Sequence, residues 1–416
     1  MSFWPQNAEI FHAPDDESSD LTKAFSHTSL NGNSMTLIEN SPKILHSIVK
    51  ISGSHDNESN PCKKAVVISN KQHFLLERKR SRIDPGILYD SHCHYDFLLD
   101  KLNLRSYKEY CYKYPKGDFG REYMGGIINN FCDPSSWGDY NGSIPLFDEL
   151  MKDPRIYFTF GCHPRFASAF NDSHLAKLEK LIQTKRVVAL GEIGLDFADV
   201  YGKSTSPHDV QIAVFYEQLL LAKKYNKPIV LHIRDAEQET IEVLKRANIP
   251  SNYNIHRHSM INSWEVTKKW LEEFPESMIG ITNIVTKPEM KQVHELVQQL
   301  PLDRIVLETD APYFYPYHVV KWKSTHHVSY PMLVIHVAEK IVELRKNESL
   351  NEFILAVKKN VEKVYRLSEH EEPIAGVNQI EFKSVGCQTM YPEEYVFSYF
   401  HSSDEESDLN DEEDDI

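Results

Sequence analysis

Residues 187–196 read VVALGEIGLD, residues 209–227 read DVQIAVFYEQLLLAKKYNK, and residues 228–236 read PIVLHIRDA. The outer two are short runs rich in Val, Ile and Leu, the pattern of strands buried on both faces. The middle one carries apolar residues at three- and four-residue steps, as a helix with one buried stripe must. A strand, a helix and a second strand in this order form one crossover unit, which makes the two strands parallel neighbours. The same alternation extends outward on both sides. The strand-like runs are GILYDSH (86–92), GGIINNF (125–131), IYFTFG (156–161), VVALGEI (187–193), PIVLHI (228–233), YNIHRH (253–258), SMIGITNIV (277–285) and DRIVLET (303–309). Eight parallel strands are the number that closes a (β/α)8 TIM barrel, an α/β fold, and that is the fold expected here. The segments YPMLVIHVAEKIVELRK (330–346) and NEFILAVKKNVEKVYRL (351–367) read as amphipathic helices, the second ending the barrel near Leu367.

The flanks differ in kind. The chain has 416 residues, 41% of them hydrophobic, enough for one core of roughly 250–300 residues plus tails. Residues 1–85 are rich in Ser, Asn, Asp and His without a sustained period and are expected to be a mostly disordered extension, with KKAVVIS (63–69) as one candidate strand. The basic ERKRSR, Glu77–Arg82, reads as a solvated linker, with nuclear import or a phosphate contact as the alternative. Residues 86–368 form the barrel domain, and residues 369–416 an acidic disordered tail. From residue 371 onward there are 14 Asp and Glu against the single Lys383; removing this net −13 from the formal −15 of the whole chain leaves −2. The acidity belongs to the tail, so it does not exclude a polyanionic partner for the body. Six cysteines (Cys62, Cys93, Cys111, Cys132, Cys162, Cys387) make no CxxC pair, no signal-peptide pattern opens the chain, and no apolar run nears the roughly 20 residues of a membrane helix. The expectation is an intracellular protein with reduced thiols and no membrane association.

In such a barrel, catalytic groups sit at the C-terminal ends of the strands. Six of the eight candidate strands supply one there: His92 and His94 in DSHCHYD; His163 in GCHPRF; Glu192 in GEIGLD; His232 and Arg234 in LHIRDA; His256 and His258 in IHRH; Glu308 and Asp310 in ETDAPY. Residues two apart on a strand share a face, so His92 and His94 can grip one ion while Cys93 points the other way, into the core. Taken singly, each of these groups is more often a capping or hydrogen-bonded residue than a ligand. Gathered after apolar strands, they are a costly accumulation of desolvated charge unless cations neutralise it. An imidazole and carboxylate set without thiolates suits Zn, Mn, Mg or Fe.

In this order, DSHCHYD, GCHPRFA, GEIGLDF, LHIRDA and LETDAPYF resemble the TatD family of metal-dependent deoxyribonucleases over about residues 86–368. NNFCDP, IHRH, FPESMIGIT and ETDAPYFYP make the chain most similar to the eukaryotic branch called TatD DNase domain containing 2. The resemblance implies two divalent cations (Mg, Mn or Zn). His92, His94 and Asp310 would bind the first, Glu192 would bridge both, and His232 and His258 would complete the second. It puts His163 just outside the ligands, orienting water or a phosphate oxygen, and makes Arg234 and Arg165 phosphate contacts. The choice of His258 over His256 rests on it alone. Two departures stand out: the family's His-Cys-Phe-Ser/Thr-Gly reads His258-Ser259-Met260-Ile261-Asn262, and THHVSYP brings in His326 and His327, which have no family role.

The function so implied is hydrolysis of DNA, with RNA as an alternative polymer, 3′ to 5′ from a single-stranded or frayed end. Cations about 3.5–4 Å apart would activate a water whose proton passes to Asp310. Two rival readings are a metal-dependent amidohydrolase or lactonase, disfavoured by a glutamate where those enzymes often carry a modified lysine, and a non-catalytic barrel module, disfavoured by a complete ligand set. The protein is expected to be a monomer of the nucleus or cytoplasm. Its tail is read as open to phosphorylation, to a basic protein partner, or to competition with nucleic acid at the barrel mouth.

Overall fold

The computed structural model describes residues 83–113, 123–138, 144–198, 206–319 and 328–370. The readings made of residues 1–82, of the acidic tail, of Cys62 and Cys387, and of His326 and His327 lie outside the described residues. Eight strands form one parallel sheet in sequential order: β1 Leu88–Cys93, β2 Met124–Phe131, β3 Ile156–Phe160, β4 Val187–Asp196, β5 Ile229–Arg234, β6 Ile255–Arg257, β7 Met278–Ile281 and β8 Ile305–Leu307. The sheet closes because the chain just beyond β8 turns back onto β1. Asp310 N donates to His92 O at 2.9 Å, His94 N donates to Ala311 O at 2.8 Å, and Ser91 Oγ donates to Leu307 O at 2.8 Å. Asp90, fully buried, staples the same seam by accepting from Thr309 N at 2.9 Å and Thr309 Oγ1 at 2.6 Å.

Around the strands run α1 Tyr95–Lys101, α2 Tyr107–Lys113, α3 Pro145–Leu150, α4 Asp172–Leu181, α5 His208–Lys224, α6 Glu237–Arg246, α7 Trp264–Glu273, α8 Lys291–Gln299, α9 Val334–Arg345 and α10 Leu350–Tyr365. The expected strand–helix–strand unit is thus β4, α5 and β5. Helix α10 starts where Ser349 and Glu352 cap each other reciprocally and stops where Arg366 turns left-handed. Among the described residues no helix is long and apolar enough to cross a membrane.

Two apolar layers follow from the strand period of two. On β5, Ile229 and Leu231 belong to the large cluster beneath the helices, whereas Val230 belongs to a second cluster with Tyr89, Ile128, Tyr157, Val188, Met278 and Val306. Ala189 and, at and just beyond the end of α10, Val361, Val364, Tyr365 and Leu367 complete that second cluster, which plugs the base of the barrel. Above Val230, the next residues on the same face of β5 are His232 and Arg234, so one strand runs from apolar plug to polar mouth. Cys93, between the two histidines of β1, is buried in the outer core with its Sγ 3.7 Å from Ile128 O.

Candidate metal centre

The axial faces of β1, β4, β5, β6 and β8 converge on Glu192, which is buried. Its Oε2 lies 3.4 Å from His92 Nε2 and 3.6 Å from His94 Nε2. Asp310 Oδ1 lies 3.7 Å from His92 Nε2 and 3.3 Å from His94 Nε2, and the two histidine nitrogens are 3.1 Å apart. Polar atoms packed at 3.1–3.7 Å with no shared proton to explain every contact outline a space for one cation. Ligands held at 2.0–2.1 Å from a tetrahedral ion are roughly 3.3–3.4 Å from one another. The other oxygen of Glu192 faces a different set: Oε1 is 2.8 Å from His232 Nδ1, 3.3 Å from His258 Nε2 and 3.8 Å from His163 Nε2. Among the described residues, three groups could hold an ion: His92, His94 and Glu192; His163, Glu192 and His232; and His92, His258 and Glu308. The donor set fits divalent cations, with imidazole and carboxylate ligands and no thiolate.

Local sequence explains the convergence. Gly194 adopts φ +143, and a β-carbon there would collide with the carbonyl of His232, so only glycine lets β4 lie this close to β5 beside Glu192. His94 donates Nδ1–H to the backbone oxygen of Asn130 at 2.9 Å, which turns its Nε2 inward. His163 differs: its Nδ1 accepts from Arg165 N at 2.9 Å. The neutral ring therefore carries its proton on Nε2, the atom facing Glu192, and presents a donor there. His92 and His258 stack with centroids 3.9 Å apart, and His163 and His232 lie 4.3 Å apart.

The crowding sets the charge states. Burial, followed by the neighbouring His258, lowers the His92 pKa to about 4, and burial with the neighbouring His232 lowers that of His163 to about 3. Burial also acts against charge on His94 and His232, but their carboxylate partners outweigh it. Asp310 and Glu192 raise His94 to about 9, and Asp196 with Glu192 raises His232 to about 10. Burial pushes the Glu192 carboxyl up, yet the surrounding histidines hold it well below the usual carboxylate range.

His256, the other histidine of IHRH, is one layer deeper, with its Nε2 3.0 Å from Glu308 Oε2 and its ring centroid 6.2 Å from that of His92. Arg234 is half-buried beside the second set, with Nη1 3.9 Å from Asp196 Oδ2, and Arg165 is exposed at the rim beside His163. Asp196, which reading the sequence did not single out, lies 3.5 Å from His232 Nε2. The period of two along 192, 194 and 196 puts it on the same face as Glu192 and was the available signal. Cys132, with Sγ 3.8 Å from His94 Nδ1, carried no such signal. At the departure from the family pattern, Ser259 turns left-handed at φ +50, Met260 is buried, and Asn262 donates to Glu237, which also pairs with buried Arg257 at 3.0 Å.

A family model described as TatD related DNase matches residues 89–366. The chain belongs to this family. It is 34% identical over 298 residues to the human 3'-5' RNA nuclease TATDN2, an alignment covering 71% of this chain and 38% of that protein. It is 32% identical over 213 residues to the uncharacterized metal-dependent hydrolase YabD of Bacillus subtilis, covering 51% of this chain and 78% of the relative. The chain thus spans well under half the length of the human relative. The crystal structure of YJJV, a TatD homolog from Escherichia coli K12, superposes with a TM-score of 0.56 at 23% identity, covering 68% of this chain and 98% of that one, a likeness of fold.

Proposed function

We propose that the chain is a divalent-cation-dependent nuclease that hydrolyses phosphodiester bonds of single-stranded or frayed DNA or RNA in the 3′ to 5′ direction, within a domain of residues 86–368. The observation that carries this reading is the division of Glu192: one oxygen faces His92 and His94, which Asp310 Oδ1 also approaches, and the other faces His232 and His258. We assign the first cation to His92, His94, Asp310 and Glu192, and the second to His232, His258 and Glu192, with Mg, Mn or Zn as occupants. Bound there, such ions would supply Lewis-acid stabilisation of phosphoryl charge and lower the pKa of an attacking water. The chain's own groups do the rest. The Asp310 carboxylate accepts the proton of the water, and Nε2–H of His163 donates to a phosphate oxygen or to the water and so orients it. Arg234 and Arg165 hold flanking phosphates. The apolar plug closes the base of the barrel below these groups. The family is named for DNA and the human relative for RNA, so both polymers belong in the test.

Metal-stripped full-length protein, given 5′-labelled single-stranded DNA or RNA with Mg, Mn or Zn added back, is expected to produce a ladder of shortened 5′-labelled products. Arg234→Ala should weaken oligonucleotide binding by about tenfold and flatten its salt dependence by about one phosphate contact. Protein that holds metal by elemental analysis yet cleaves neither polymer with any cation would turn the reading toward hydrolysis of a small-molecule amide or lactone.

A further inference from the structure

Beneath the centre lies a layer of fully buried polar groups that the reading above does not use. Glu308 Oε1 faces His258 Nδ1 at 3.4 Å and accepts from Ser259 N at 2.5 Å. Its Oε2 pairs with His256 Nε2 at 3.0 Å. On the far side of that ring, His256 Nδ1 is 2.6 Å from the hydroxyl of Tyr365, which also reaches Ser91 O at 3.1 Å. Glu308, His256 and Tyr365 are each completely buried, and they come from β6, from the end of β8 and from the last turn of α10. A site has been left open for them. A β-carbon at Gly280 on β7 would stand 2.5 Å from Glu308 Oε2 and 2.6 Å from His256 Nε2, so glycine at this position is what admits the pair.

We propose that Glu308, seated in the gap left by Gly280 and braced by His256 and Tyr365, is the positioning residue that fixes the ring of His258 for the second cation. Glu308 Oε1 stands 3.4 Å from His258 Nδ1, within ion-pair range, and a carboxylate can only accept, so the contact favours the tautomer with the proton on Nδ1 and the Nε2 lone pair turned toward Glu192. Ser259, left-handed at φ +50, bends its N–H onto the same oxygen and holds it in place. The brace matters because an unsupported buried carboxylate would relax toward either histidine. Glu308 and Tyr365 touch no substrate, and their effect passes through His258.

This inference rests on the two-cation reading, and the two fail differently. Full-length protein is titrated with Mn by calorimetry, and the affinities of the two sites are read separately in wild type, Glu308→Gln, Tyr365→Phe and Gly280→Ala, with melting temperatures as a control for folding. Glu308→Gln should weaken one of the two sites by about 10–100-fold while the other stays within about twofold. Tyr365→Phe should act in the same direction by a few-fold, and it carries the test if Glu308→Gln does not fold. Gly280→Ala, which pushes on both carboxylate and imidazole, should match Glu308→Gln. Lower melting temperatures with both Mn affinities unchanged would make the layer merely structural and overturn the proposal while leaving the two-cation reading intact. Wild-type protein that takes up no Mn would overturn both.

Discussion

Glu192→Ala is expected to lower nuclease turnover by about 10³-fold or more while the barrel still folds. This side chain presents one oxygen to each group of ligands, with Oε2 3.4 Å from His92 and Oε1 2.8 Å from His232. On the proposed assignment its removal would take a ligand from each cation at once, and metal-assisted stabilisation is worth several kcal/mol, each 1.36 kcal/mol being tenfold in rate. Glu192→Gln is expected to be almost as damaging, because an amide has the shape but only one acceptor oxygen and no charge. Far-ultraviolet circular dichroism and a steady-state assay on labelled oligonucleotide decide it, and a Glu192→Ala protein within tenfold of wild-type turnover would remove Glu192 from its bridging role.

The second large effect is on pH. His94 and His232, raised to about 9 and about 10, carry protons at pH 7 in the metal-free protein, whereas His92 and His163, lowered to about 4 and about 3, do not. A cation can bind only a nitrogen lone pair, so loading both sites must expel at least the two protons held by His94 and His232. Affinity weakens as pH falls and strengthens as pH rises toward 9, with the product of the two binding constants changing by about 10²-fold per pH unit between pH 6 and 8. Calorimetric titration with Mn in buffers of different ionisation enthalpy counts the released protons. A heat of binding that does not depend on the buffer would contradict the charge states assigned to these two rings.

Much of the fold was legible because parallel strands buried on both faces leave apolar runs that few other structures produce, and all eight runs became strands. Their lengths were less legible. The runs at 253–258 and 303–309 shrink to Ile255–Arg257 and Ile305–Leu307, although His258 N still reaches Leu231 O and Glu308 N still reaches Ile281 O, each at 3.1 Å. Asp310 turns left-handed at φ +52, which no local signal announces. Alternation by two placed His92 with His94 and His256 with His258, but it could not tell which histidine of the second pair reaches the centre. Both face the axis, and depth decides: two residues along a strand is about 6.6 Å, the difference between a ring whose Nε2 meets Glu308 and one whose Nε2 meets Glu192. Asp196 was recoverable from the same period. The brace on Glu308 was not, because Tyr365 lies 109 residues from His256 and meets it only when α10 closes the base of the barrel. For Arg234 and Arg165 the sequence supplies the charge but not the direction of the side chain, and Arg234 has Asp196 within 3.9 Å as a competing partner.

In the proposed centre one buried glutamate joins two cation sites. The most direct measurement is anomalous scattering from crystals of the protein soaked in Mn. Two peaks are predicted, one among His92, His94 and Asp310 and the other between His232 and His258, with Glu192 touching both. A single peak, or two peaks that do not share Glu192, would contradict the account.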